Sequence, residues 1–147
     1  MTKTFSVITD TATVVVFDLA AMKHRLSDTP DWWSIREDEL HETNQGNIAF
    51  FNVGQDGKYD IAIVQDIADE DGEVYIGFPS GKVFIGAGED TTGGDLEPDG
   101  SESIQGDILE FTPGNYKVKY KKDGGKVFLS FLTSESKNNN FFDPIRI

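Results

Sequence analysis

No cysteine occurs among the 147 residues, histidine and methionine occur twice each, and no apolar run is long enough to span a bilayer. Absent thiols exclude disulfides, thiolate zinc sites and cysteine nucleophiles together. With only His24 and His41 available, a multi-histidine metal centre is excluded and any acid–base histidine stands alone. The longest early apolar stretch, Ala12 to Phe17, follows Asp10 and lacks the basic lead-in of a secretion signal. A cytoplasmic chain without membrane contact is the expectation.

Bases are scarce where acids are dense. The net charge is −13, and residues 37–116 hold nineteen acids against Lys58 and Lys82 alone, whereas residues 117–147 hold seven bases and three acids. Phosphate binding needs lysine and arginine to displace condensed counterions, so direct nucleic-acid binding is disfavoured. Cationic partners, whether basic proteins or divalent metals, are favoured.

What is present is alternation. Apolar and polar residues exchange with period two in Thr4–Thr9, Thr13–Asp18, Asn47–Val53, Tyr59–Gln65, Val74–Phe78, Lys82–Gly86, Gly106–Phe111, Asn115–Lys121 and Lys126–Leu132. Turn residues separate them: Gln55-Asp56-Gly57-Lys58, Pro79-Ser80-Gly81 and Lys122-Asp123-Gly124-Gly125 read as hairpin turns. Two segments carry helical spacing. Leu19–Leu26 follows Asp18 as a cap, and Ser34–His41 places Glu37 three residues after Ser34. The fold class is therefore mainly β: one domain over residues 1–147, an antiparallel β-sandwich of about eight or nine strands, with one or two short helices in the N-terminal third.

Gly86–Ser103 is a glycine-rich acidic stretch with six acids, five glycines and Leu96 as its one large apolar residue. Ordering it costs backbone entropy with little to bury, which predicts a mobile loop or one ordered by a ligand. Inside it, Asp95, Glu97 and Asp99 precede Gly100 with the opening spacing of a calcium loop, but Gly106 stands where a bidentate glutamate belongs. No cofactor is expected, with calcium at these three acids as the exception.

Catalytic patterns are thin. Gly77-Phe-Pro-Ser80-Gly81 imitates a nucleophile elbow with its serine one place late, and a turn accounts for the same residues. Carboxylates are abundant enough that paired acids carry no information about glycoside hydrolysis. The expectation is a protein that is not an enzyme.

Both tryptophans lie in Asp28-Thr29-Pro30-Asp31-Trp32-Trp33-Ser34. Neighbours on an extended segment point to opposite sides, so one tryptophan is expected to seal the core and the other to stay partly exposed as a partner anchor. The acids expected to steer a basic partner are Asp66, Asp69, Glu70, Asp71 and Glu73, with Glu89, Asp90 and Glu102 from the acidic loop. In Asn115–Lys122, Tyr116, Val118 and Tyr120 share one face and Lys117, Lys119 and Lys121 the other, where the lysines serve either to guard an edge or to oppose acids on a neighbouring strand.

The stretch Phe111-Thr-Pro113-Gly114-Asn-Tyr116-Lys-Val118 resembles the proline–glycine turn and tyrosine found before a late strand in many sandwich domains. With the acidity and the absence of cysteine, Gly46 to Leu132 is similar to small bacterial inhibitor and immunity proteins, including the nuclease inhibitor of the competence locus. That resemblance implies a noncatalytic protein that neutralises a basic toxin or nuclease. A calcium- or carbohydrate-binding sandwich, and a structural protein of a family without assigned function, are the alternatives.

Overall fold

Strand β2, Thr13–Asp18, is buried at every position, so both of its faces must be covered. The computed structural model describes residues 2–101 and 103–147 and shows how. β2 is the central strand of a five-stranded sheet, with a second sheet packed on one face and helical segments on the other.

The remaining strands are β1 (Lys3–Thr9), β3 (Ala49–Asn52), β4 (Gly57–Val64), β5 (Gly72–Phe78), β6 (Lys82–Ala87), β7 (Gly106–Glu110), β8 (Gly114–Asp123), β9 (Lys126–Ser134) and β10 (Ile145–Arg146). One sheet has the order β1-β4-β9-β8-β5 and the other β10-β3-β2-β6-β7. Among the described residues, only the β4–β9 and β3–β10 pairs are parallel. The result is the mainly antiparallel two-sheet sandwich expected, with ten strands rather than eight or nine.

Two of the three expected hairpins take another form. The Gln55–Lys58 turn leads from β3 in one sheet to β4 in the other, and Pro79–Gly81 leads from β5 to β6, again between sheets. The second crossing is fixed by Asp18, fully buried, whose carboxylate accepts from Ser80 N, Ser80 Oγ and Gly81 N at 2.7–2.9 Å. Gly81 has φ +83°, and a Cβ there would lie 2.1 Å from the Phe111 carbonyl oxygen, so only glycine fits. Only Lys122–Gly125 joins partners within one sheet, β8 and β9. Turn chemistry specifies that the chain reverses, not which sheet receives it.

The helical segments lie where expected and differ in kind. Leu19–Arg25 is a 3-10 helix capped by Asp18, which accepts from Ala20 N at 2.8 Å. Ser34 is not a cap: it ends a short 3-10 turn, Trp32–Ser34, and the helix α1 runs from Arg36 to Asn44 behind Ile35. Glu37, Asp38 and Glu39 occupy its first turn, where the helix dipole favours anions.

Two apolar clusters result. The larger fills the space between the sheets, from Val7, Val14 and Phe51 to Ile76, Val118 and Leu129. The smaller lies outside the second sheet, where Val15, Phe17, Phe50 and Phe84 meet Met22, Trp32 and Trp33. The edge of β5 is closed at two residues: Asn139 Oδ1 accepts from Tyr75 N and Asn139 Nδ2 donates to Tyr75 O, both at 2.8 Å, and Gly77 N donates to Gly46 O at 2.8 Å.

Candidate functional site

Both tryptophans are core residues, 3% and 8% exposed, so the partner-anchor expectation fails on burial. The cause is local. Trp32 and Trp33 sit in a 3-10 turn, where neighbours diverge by about 120° rather than the 180° of a strand. That rotation lets both reach Phe50: Trp32 meets the ring edge-on at 6.0 Å and Trp33 stacks on it at 5.7 Å. Trp32 Nε1 donates to the Thr92 carbonyl at 2.7 Å, and the Arg25 guanidinium lies 4.5 Å from the centre of its ring.

The acids of residues 66–73 face their own lysines. β5 and β8 pair with Glu73 opposite Lys119 and Tyr75 opposite Lys117. Lys119 Nζ reaches Asp66 at 3.0 Å and Glu70 at 3.5 Å, Lys121 reaches Asp69 at 3.1 Å, and Lys117 lies 3.8 Å from Glu73. Asp71 accepts from the backbone N–H of Lys122. The Lys119 ammonium holds the exposed Asp66 carboxyl below its ordinary range, and Lys121 does the same for Asp69. Five acids stand here against three lysines of β8, so the field this face presents is weaker than its run of acids suggests. The basic C-terminal quarter of the sequence folds onto the acidic middle.

The acidic loop is used structurally along its first half. Glu89, half-buried, accepts from Thr9 Oγ1 at 2.9 Å, Thr11 Oγ1 at 2.8 Å and Asp10 N at 2.6 Å. Burial alone would raise its carboxyl, but these donors outweigh burial and hold it below 4.5. Asp90 accepts from Gln105 N at 2.8 Å, yet burial keeps it above its ordinary range. Thr91 and Thr92 are buried. Glu102 lies outside the described residues.

The proposed calcium ligands do not converge. Both oxygens of Glu97 accept from Lys23 Nζ at 2.7 Å, Asp99 turns back to Ser101 N, and Asp95 adopts φ +62° on the surface. Among the described residues, no three His, Asp or Glu side chains are grouped to hold a metal ion.

A different acidic surface forms where the loop meets the tryptophan segment. Gly94 N donates to Asp28 O and Asp95 N to Leu26 O, stitching the loop to the end of the first 3-10 helix. At the centre, Arg25 donates through Nε to Glu42 at 2.7 Å, through Nη1 to Asp28 at 3.0 Å and through Nη2 to Asp38 at 3.2 Å. Glu42 is 1% exposed, and burial would raise it, but bonds from Asn47, Arg25 and His24 hold it below 4.5. Asp31 and Asp95 are exposed, Asp31 directly before the tryptophans and Asp95 tied by its N–H to Leu26 O, next in sequence to Arg25. Asp28, Asp31, Asp38, Glu42, Asp95 and Glu97 thus stand against Lys23 and Arg25, leaving four negative charges drawn from three separate stretches. In the sequence Arg25 sits beside Lys23 and His24 in the Leu19–Leu26 segment, and no local spacing marks it as the residue that gathers Asp28, Asp38 and Glu42.

The family model described as "Family of unknown function (DUF6386)" matches residues 1–147. The chain belongs to that family. No curated protein matches it in sequence. Two solved structures share its fold. One, named "Crocagin biosynthetic gene J", aligns with a TM-score of 0.54 at 13% identity, over 90% of this chain and 96% of that one. The other, ComJ from Bacillus subtilis, an inhibitor of the DNA degrading activity of NucA, aligns with a TM-score of 0.53 at 12% identity over the same shares. At these identities the likeness establishes architecture alone. It agrees with the resemblance to nuclease inhibitors that the sequence carries.

Proposed function

We propose that this chain is a noncatalytic inhibitor that acts in the cytoplasm, docking through its acidic junction onto a basic protein, a nuclease above all. The observation that carries the reading is the junction itself: Asp28, Asp38 and Glu42 held by Arg25 over the buried Trp32, with Glu97 of the acidic loop held beside them by Lys23. A nuclease gathers nucleic-acid phosphates with lysine and arginine. A fixed array of carboxylates competes for the same cationic surface, speeds encounter at low salt and occludes the phosphate path. The net charge of −13 and the shared fold of a nuclease inhibitor support this reading.

The test is stoichiometric inhibition. Non-specific nucleases encoded in the same genome are assayed for DNA cleavage against increasing amounts of the purified chain. The expected result is loss of cleavage near equimolar ratio. Asp31→Asn with Asp95→Asn slows association about tenfold at low salt, whereas Asp66→Asn with Asp69→Asn leaves it unchanged. Full cleavage by every such nuclease at equimolar chain, or equal association by the two double variants, refutes the proposal.

A further inference from the structure

A cleft of about 270 Å³ opens between α1, the β1–β2 turn, β3 and the segment before β10. Its walls include Thr13, Trp33, Arg36, Glu39, Asn52 and Arg146. Two of these residues carry buried polar atoms without a hydrogen-bond partner among the described residues: Trp33 Nε1 and Glu39 Oε2. The residues are 8% and 6% exposed, so both exceed nine-tenths burial. Native structures rarely leave such atoms unpaired, and an indole N–H can only donate. The contrast with the neighbouring tryptophan is direct, because Trp32 Nε1 is satisfied by Thr92 O.

The charges around the cleft select what fits. Arg36 and Arg146 bring two guanidiniums to its walls, Arg36 also being bound to Asp143 at 2.6 Å. A cation entering here meets two like charges. Burial pushes the Glu39 carboxyl up to about 7 against the opposing pull of Asn52, Arg146 and Arg36. Near neutral pH it is therefore protonated about half the time and can donate through its O–H. A phosphate dianion would crowd a second negative charge against the ionised half of that population. A singly charged planar acceptor brings half that charge, and it matches the donor geometry of a guanidinium.

We infer that this cleft binds a carboxylate, held by the Trp33 indole N–H and the Arg146 guanidinium, with the Glu39 carboxyl as its floor. The carboxylate belongs either to a small free acid or to the end of a peptide chain. The inference is independent of nuclease inhibition, since the cleft and the acidic junction share none of the residues assigned to them.

The chain contains two indole N–H groups, one bonded and one without a partner among the described residues, which makes nitrogen-15 NMR a direct readout. Sodium acetate is titrated at pH 6 against sodium chloride at equal ionic strength, followed by a short peptide with a free C-terminal carboxylate and the same peptide amidated. The expected result is a saturable downfield movement of the Trp33 indole signal with acetate or the free-ended peptide, while the Trp32 signal stays. Movement with both marks a site for carboxylates in general; movement with the free-ended peptide alone marks a peptide-end site. Arg146→Ala, an exposed change, weakens binding about tenfold or more. In the wild type, affinity falls from pH 6 to pH 8 as Glu39 ionises between Arg36, Arg146 and Asp143, and Glu39→Gln, which keeps an N–H donor, removes that fall. The inference is overturned if neither carboxylate moves the Trp33 signal beyond chloride, if the amidated peptide binds equally, if methylammonium moves it instead, or if Arg146→Ala binds as the wild type does.

Discussion

Replacing Glu39 by glutamine isolates the energetic consequence of burying an acid without full satisfaction. In the folded chain its carboxyl is raised from 4.5 to about 7, chiefly by burial. The native state then holds the proton roughly 300-fold more tightly than the unfolded chain, which corresponds to about 3 kcal/mol. For an acid raised on folding, the contribution to stability is fully present below pH 4.5 and is lost as pH climbs through 7. Glutamine does not titrate, so Glu39→Gln should gain about 3 kcal/mol relative to wild type between pH 4.5 and pH 8, or about 6–12 °C in Tm for a chain of this size. Urea unfolding of both proteins at several pH values from 4.5 to 8 provides the comparison, with the m-value checked for constancy. Any mutational offset from lost packing is common to all pH values and cancels in the difference. A stability gap that stays flat across that window refutes the assignment of Glu39 as a buried, raised carboxyl.

Two further predictions concern residues whose roles the fold has reassigned. Trp32→Phe should cost about 1–2 kcal/mol more than Trp33→Phe in urea unfolding, because the first orphans the Thr92 carbonyl and the second removes an indole N–H that has no partner among the described residues. Glu89→Ala should destabilise by about 1–3 kcal/mol at pH 7 and speed hydrogen exchange at the Asp10 amide, since one carboxylate serves Thr9, Asp10 and Thr11. Because Glu89 is lowered on folding, that cost should shrink as pH falls below 4.5; a constant cost down to pH 3 would count against the network.

The architecture was largely legible because strand alternation is a local signal. The face of β8 shows this best: Tyr116, Val118 and Tyr120 are buried, and Lys117, Lys119 and Lys121 lie outward against acids, one of the two readings the sequence offered. β10 escaped because two residues carry no period and their partner, β3, lies more than ninety positions earlier. The arches at Gln55–Lys58 and Pro79–Gly81 escaped because glycine turns look alike whether the chain stays in its sheet or leaves it.

The binding surface was less legible, for a long-range reason. A run of acids such as Asp66 to Glu73 looks unpaired until residues fifty positions later arrive beneath it. The tryptophans misled through local geometry, since nothing in Asp31-Trp32-Trp33-Ser34 distinguishes a 3-10 turn from an extended link. Nothing in the sequence separates Glu39 from its neighbours Glu37 and Asp38, except that Thr43, four residues later and also buried, shares its inward face of α1.

The order of strands in the first sheet governs how the chain comes together during synthesis. β9 lies between β4 and β8, yet β4, β5 and β8 all leave the ribosome before it. Until Lys126–Ser134 has emerged, the β1–β4 ribbon and the β5–β8 ribbon each offer an open flank with nothing to zip them together. Residues 126–134 act as the keystone of an arch raised from both sides. A ribosome stalled just before that segment should therefore display two sticky half-sheets, the form in which a nascent chain is most apt to aggregate or to need a chaperone.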